Sequence, residues 1–259
     1  MYNTLNYEVK DNACYITFNR PDVYNAINDE LSKELQDALK NAAKDENARV
    51  IVLTGEGKAF CSGQDLKDIS GQEDRSLGES LHKRYNPIIK SMRTMEKPII
   101  GKINGVAAGA GCSLALACDY LVASENASFI EIFINVGLVP DSGSSYFLPR
   151  VVGKQKAFEL ATMGNKLDAE SARKWGIVNQ VADENSFDDE TDKIVKYYAN
   201  APTKAIGMIK KMLEKSTHST LEEMLEYEAQ CQEVAGRSED YKEGVDAFVN
   251  KRKPSFKGK

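Results

Sequence analysis

Two glycine-rich segments constrain this chain more than anything else in it: Phe60-Cys61-Ser62-Gly63-Gln64-Asp65-Leu66 and Asn104-Gly105-Val106-Ala107-Ala108-Gly109-Ala110-Gly111. Each follows a short apolar run, Val50-Ile51-Val52-Leu53 or Pro98-Ile99-Ile100-Gly101-Lys102-Ile103, of the kind that forms a buried strand. Each leads into a helical pattern. Such a turn leaves backbone N–H groups without intrahelical acceptors, aimed at one point. Two of them face to face would grip a carbonyl oxygen that turns negative during reaction. The backbone N–H groups of Gln64 and Ala110 are placed at that oxygen, so side-chain identity at either position says little. Either loop alone could simply be a tight turn that lets helix and strand pack closely. Together, both after strands, they point to chemistry beside a carbonyl that needs neither metal nor histidine.

The rest of the chain alternates strand and helix. Asn6–Val9 and Ala13–Phe18 read as a hairpin around Lys10-Asp11-Asn12. Residues 28–44 form a helix with Leu31, Leu35, Ala38, Leu39 and Ala42 on one face and Asn28 or Asp29 as its cap. A second helix is predicted over Leu77–Met95, and a small-residue helix over Gly109–Ala117. Strands are predicted at Ile99–Ile103, 119–123, 128–132 and 178–181. Ser70–Arg75 is polar and reads as a mobile connection. From Ser186 onward only helix signals remain: 194–199, 205–213, 221–234 and 241–249, with Pro202 at a helix start. The alternation implies an α/β fold with right-handed crossovers and largely parallel pairing. At 259 residues the chain can bury a large core. We divide it into a core over 1–197 and a helical C-terminal region over 198–259.

Asp141, in Val136-Gly137-Leu138-Val139-Pro140-Asp141-Ser142-Gly143, is the leading acid–base candidate. Phe133, Ile134, Leu138, Val139 and Phe147 would keep it dry if it faces a pocket, and burial raises a carboxyl pKa toward neutrality. The competing reading is an N-cap for a helix over Ser142–Leu148. Asp65 has a similar alternative, as cap of a helix beginning Leu66-Lys67. Glu131, within Phe129-Ile130-Glu131-Ile132, reads as a strand-edge charge in solvent. His82 and His218 are the two histidines, both in helical, polar surroundings. They give little support to a catalytic triad or a zinc site. Cys61 and Cys112 read as small apolar filler rather than nucleophiles. Residues 109–114 lack the third glycine of a dinucleotide fingerprint, and no G-K-[ST] ending marks a phosphate loop.

The formal charge of −5 disfavours nucleic acid as a partner. Five cysteines without CxxC spacing read as reduced thiols. With no signal-peptide pattern at the N-terminus and no bilayer-length apolar run, the expected location is the cytoplasm, away from membranes.

Lys58–Leu66 and Asn104–Cys112, followed by Leu114-Ala115 and Cys118-Asp119, resemble the crotonase (enoyl-CoA hydratase/isomerase) family. Asn19-Arg20-Pro21 with Asn25-Ala26 looks like its first CoA-binding segment, and Phe248–Phe256 like its C-terminal pattern. The likeness spans essentially the whole chain. It implies a spiral of ββα turns, a helical C-terminal trimerisation region and a homotrimer or dimer of trimers. It implies acyl-CoA thioester substrates and no metal or redox cofactor, coenzyme A being part of the substrate. By position, the oxyanion donors fall on Gln64 and Ala110. The adenine and pantetheine contacts fall near Tyr24, Ala26, Ser62, Asp65 and Leu66. Asp22 stands where a basic residue often meets the CoA phosphates. The two glutamates of the family's hydratases correspond here to Ser113 and Phe133, neither able to transfer a proton as a carboxylate does. The Pro-Asp-Ser-Gly context of Asp141 resembles the isomerase branch, especially its phenylacetate-pathway members. The resemblance thus implies a 3-enoyl- to 2-enoyl-CoA isomerase with Asp141 as its one acid/base. The alternatives are a 2-enoyl-CoA hydratase using Asp141 or Glu131, an isomerase of arylacetyl-CoA ring epoxides, and a non-catalytic acyl-CoA- or RNA-binding homologue.

Overall fold

In the computed structural model, residues 2–68 and 76–259 are described. Strands β1 (Leu5–Lys10) and β2 (Ala13–Phe18) pair antiparallel around a two-residue turn, with Asp11 and Asn12 both left-handed. Such turns match the twist of the flanking strands. Helix α1 (Asp29–Lys44) starts where Asn28 accepts a hydrogen bond from the Leu31 N–H, and it buries the apolar stripe expected of it. Strands β3 (Val50–Gly55) and β4 (Ala59–Cys61) follow.

The segment predicted as one helix is divided. Helix α2 (Leu77–Ser80) runs into a π turn over Leu81–Tyr85 and then into α3 (Asn86–Thr94). The predicted mobile connection, Ser70–Arg75, lies outside the described residues. Next come β5 (Ile99–Ile103), β6 (Val106–Ala108), α4 (Ala110–Ala117), β7 (Tyr120–Ser124) and β8 (Ser128–Ile130). They are followed by α5 (Ser144–Val152), α6 (Lys154–Met163), β9 (Leu167–Asp168), α7 (Ala169–Lys174) and β10 (Gln180–Ala182). Four helices close the chain: α8 (Phe187–Asn200), α9 (Thr203–Ser216), α10 (Leu221–Gly236) and α11 (Glu239–Val249).

The strands form two sheets, ordered β1-β2-β3-β5-β7-β10 and β4-β6-β8-β9. From β3 onward the chain lays one strand in each sheet and then a helix, as in β5-β6-α4, and repeats the move. This is a ββα spiral, parallel within each sheet except at β1–β2 and β8–β9. One core fills the space among α1, the larger sheet, α3 and α4, with Phe18, Leu35, Ile51, Phe60, Ile88 and Leu114 in its interior. On the sheet's other face, Val195 and Ala199 of α8 cover Ala13, Val50, Val52 and Ile100. Helix α8 ends at Asn200 and so continues past the boundary we drew at 197.

All eight residues of α4 are buried, which only a helix of small and apolar residues can achieve without voids or clashes. Helix α9 is tied to the core by charge. Lys210, 6 % exposed, donates to the Met92 carbonyl at 2.7 Å and to the Asp119 carboxylate at 2.7 Å. Arg93 bridges Asp119 and Glu214 at 3.0 and 2.9 Å. No helix among the described residues is long and apolar enough to cross a membrane.

Candidate active site

The two glycine loops meet. Ile27 donates its N–H to the Gly63 carbonyl at 2.7 Å and accepts from the Asp65 N–H at 3.0 Å. In this parallel bridge Ile27 makes both bonds, so the N–H of Gln64 points away from it. Ala110 is the first residue of α4, and its N–H has no intrahelical acceptor. The loops touch so closely that a Cβ built on Gly63 would lie 2.8 Å from the Ala108 oxygen and 3.3 Å from the Ala110 nitrogen. Gly63 also has φ +93°, which side chains with a Cβ rarely adopt. A Cβ on Gly111 would lie 2.1 Å from the Cys61 oxygen. Glycine at 63 and 111 therefore lets the start of α4 press against the end of β4, and the two loops come to lie side by side.

Asp141 joins them through α4. The Ser113 hydroxyl, one turn beyond Ala110, donates to the Asp141 carbonyl at 3.0 Å. Ser113 is thus an anchor for the main chain of Asp141. The Asp141 carboxyl is half-buried, and desolvation raises it above its ordinary range despite a 2.8 Å hydrogen bond from the Ser142 hydroxyl. The capping alternative for Asp141 fails: α5 begins at Ser144 with Gly143 at the cap, in the left-handed region. Phe133 is buried, and a Cβ on Gly109 would be 3.8 Å from its ring. An apolar ring therefore walls the second glycine loop on that side.

Glu131 corrects a second expectation. It is 4 % exposed, not a solvated edge charge. Its Oε1 accepts from the Ser144 hydroxyl at 2.6 Å, and its Oε2 is buried without a hydrogen-bond partner among the described residues. Desolvation raises its pKa, outweighing the lowering by hydrogen bonds with Ser144 and Cys112, and the charge of Asp141 adds to the rise. A carboxyl whose pKa is higher folded than unfolded makes its full contribution below the unfolded value. That stability is lost as pH rises through the folded value. Glu131→Gln cannot titrate. Its melting temperature is therefore expected to gain on the wild type progressively from about pH 4.5 upward. A gap that stays constant between pH 4 and 8 would refute the raised pKa.

The predicted substrate-binding residues lie along one strip. Tyr24 and Asn25 are left-handed, and the Asn25 amide donates to the Glu56 and Ala59 carbonyls at 3.0 and 2.8 Å, fixing the turn. Ser62 donates its N–H to the Tyr24 carbonyl at 3.0 Å, which places Tyr24, Ala26 and Ser62 together. Tyr24 and Leu66 present 56 % and 61 % of their surface to solvent, whereas Ala26 is buried. Among the described residues, 66–68 after Asp65 form a turn and no helix. Its carboxylate pairs with Arg20 at 2.9 Å and accepts from the Lys67 N–H at 3.1 Å. Burial pushes the Asp65 pKa up, but these partners outweigh it and leave the group below its usual range. Asp65 thus ties Arg20 to the turn after the first glycine loop. Asp22 is exposed in the short 3-10 turn Pro21–Val23.

The five cysteines are free and buried. Burial pushes the Cys61 thiol up to about 12 and raises Cys112 well above its ordinary value, so both stay protonated at neutral pH. His82 and His218 are exposed.

The comparisons give the class of enzyme to which this spiral and its paired loops belong. The family model described as enoyl-CoA hydratase/isomerase matches residues 8–259, and the chain belongs to that family of enzymes. It is 41 % identical to the 1,2-epoxyphenylacetyl-CoA isomerase of Escherichia coli (strain K12), over 97 % of each chain. It is 38 % identical to a probable enoyl-CoA hydratase of Rhodobacter capsulatus, covering 100 % of this chain and 99 % of that one. Among solved structures, a putative enoyl-CoA hydratase/isomerase from Mycobacterium abscessus superposes with a TM-score of 0.94 at 33 % identity, over 98 % of this chain and 100 % of that one.

Proposed function

We propose that the enzyme moves the double bond of a 3-enoyl-CoA thioester to the 2-position through an enolate, with Asp141 as its one acid/base. The N–H groups of Gln64 and Ala110 hold the thioester oxygen as charge grows on it. Asp141 takes a proton from C2 and returns it to C4. One base suffices because both ends of a bound allyl unit lie within reach of one carboxyl. CoA lies along Tyr24, Ala26, Ser62, Asp65 and Leu66, and no metal or further cofactor takes part.

The observation that carries this reading is the fate of the two hydratase positions. Ser113 is bonded to the Asp141 carbonyl, and Phe133 is a buried ring beside Gly109. Neither can hold and deprotonate water, while Asp141 has a carboxyl raised toward neutrality. The test is an assay of both substrates. A 3-enoyl-CoA is expected to gain conjugated absorbance, and a 2-enoyl-CoA to keep it. Rapid loss of that absorbance from the 2-enoyl-CoA would make the enzyme a hydratase.

A second reading, isomerisation of a ring epoxide of an arylacetyl-CoA, is favoured by the name of the E. coli relative. It would use the same enolate. We also propose that the C-terminal helices assemble a trimer or a dimer of trimers. Leu213, Leu221, Leu225, Val245, Phe248 and Val249 are exposed there, Phe248 at 85 %, an apolar surface of the kind subunits cover. A cytoplasmic location fits these proposals.

A further inference from the structure

The Gln64 side chain is not idle, although only its backbone N–H faces the substrate oxygen. Its Nε2 donates to the Ile27 carbonyl at 3.1 Å and to the Asp65 carbonyl at 3.0 Å. Carbonyl oxygens only accept, so the amide has one orientation, with Oε1 turned the other way. There Oε1 accepts from the Tyr85 hydroxyl at 2.7 Å. Tyr85 is 3 % exposed.

Tyr85 occupies the last position of the π turn, where the Asn86 N–H reaches back five residues to the Leu81 carbonyl. The inserted residue shifts the helix phase. Arg84 and Tyr85 turn inward, while Ile88 and Met92 still face the core. The turn is itself anchored. The Ser32 hydroxyl donates to the Arg84 carbonyl at 2.9 Å, and the Arg84 guanidinium donates to the same Ile27 carbonyl at 3.3 Å and pairs with Asp29 at 3.0 Å. A continuous bonded path thus runs from α1 and the π turn through Tyr85 to Gln64.

We propose that Tyr85 is a positioning residue for the oxyanion site: its hydroxyl locks the Gln64 side chain, which fixes the direction of the Gln64 backbone N–H. The inference rests on the proposed role of that N–H. Without the hydroxyl, Oε1 loses that donor, and the amide is held only through its two Nε2 bonds, a looser restraint on the peptide. Effects of this kind fall on kcat, because a misdirected donor loses most where the oxygen carries most charge.

The test compares Tyr85→Phe and Gln64→Met with wild type by steady-state kinetics. The infrared carbonyl band of a bound, 13C-labelled, unreactive acyl-CoA provides a second readout. Each variant is expected to lose about tenfold in kcat with KM within about twofold, and the bound carbonyl band is expected to move back toward its position in free thioester. The double variant is expected to be no worse than either single one, because both cut the same link. Wild-type kcat, or an unshifted bound band in folded Tyr85→Phe, would overturn the proposal. So would additive losses in the double variant. If the wild type itself leaves the thioester band at its free position, the oxyanion reading fails instead.

Discussion

Asp141→Asn is expected to remove isomerisation, with kcat falling by about 10²–10⁴, while affinity for a CoA thioester stays near wild type. Asparagine has the same shape and keeps an oxygen to accept the Ser142 hydroxyl that Asp141 accepts at 2.8 Å. Ser113 bonds the backbone carbonyl at 141, not the side chain, so that anchor also survives. What asparagine cannot do is take a proton. The proposed CoA contacts lie on the strip from Tyr24 to Leu66, outside the 141 loop, so binding measured by calorimetry should barely change. The pH profile of the wild type should carry the same signature. Asp141 must be ionised to act as the base, and burial raises its pKa. The acid limb of kcat/KM is therefore expected above the ordinary aspartate value of 3.8 and is expected to vanish with the activity in the variant. Undiminished turnover would remove Asp141 from the mechanism.

Gly63→Ala is the other substitution with a large expected effect. The new Cβ would meet the Ala108 oxygen at 2.8 Å and the Ala110 nitrogen at 3.3 Å, and both are main chain that cannot rotate aside. The positive φ adds strain wherever the side chain goes. Overpacking of this kind costs about 1–3 kcal/mol of stability. The functional cost should be greater, because relief requires the two loops to part, and these loops carry both proposed donors. Loss of a single such donor already costs about 10²–10³ in rate. A folded Gly63→Ala enzyme with wild-type kcat would show that the close approach of the loops has no part in the chemistry.

How much of this was legible in the sequence depends on where the determining contacts lie. Helix α1 is set by its own spacing and by Asn28, so its limits could be read directly. The strands of the larger sheet, β3 and β5, are runs of branched apolar residues buried on both faces. Strands β4, β6 and β8 are three residues each. They lie in or beside the glycine loops and carry no alternation, so the second sheet came only from the resemblance. The π turn was invisible because the apolar spacing around it still suits a single helix.

The site divides in the same way. The glycine loops were legible because their function is a backbone conformation, and glycine is its signature. Asp141 could be named but not resolved from a cap, since a carboxylate before Ser-Gly fits both. The structure decides by starting α5 at Ser144, with Gly143 in the cap position. Glu131 was misread as a solvated strand-edge charge because a lone carboxylate in a short predicted strand carries no local sign of burial. That strand ends at Ile130, and burial of Glu131 beside Ser144 is set by the packing of α5, 13 residues further on. The link from Tyr85 to Gln64 spans 21 residues and left no local pattern to read.

The most direct measurement of the central claim uses a 3-enoyl-CoA deuterated at C2, converted in ordinary water and followed by NMR. A single half-buried carboxyl carrying hydrogen between the two carbons should leave deuterium at C4 of the conjugated product. A product whose C4 hydrogen comes only from solvent, or one hydroxylated at C3, would contradict it.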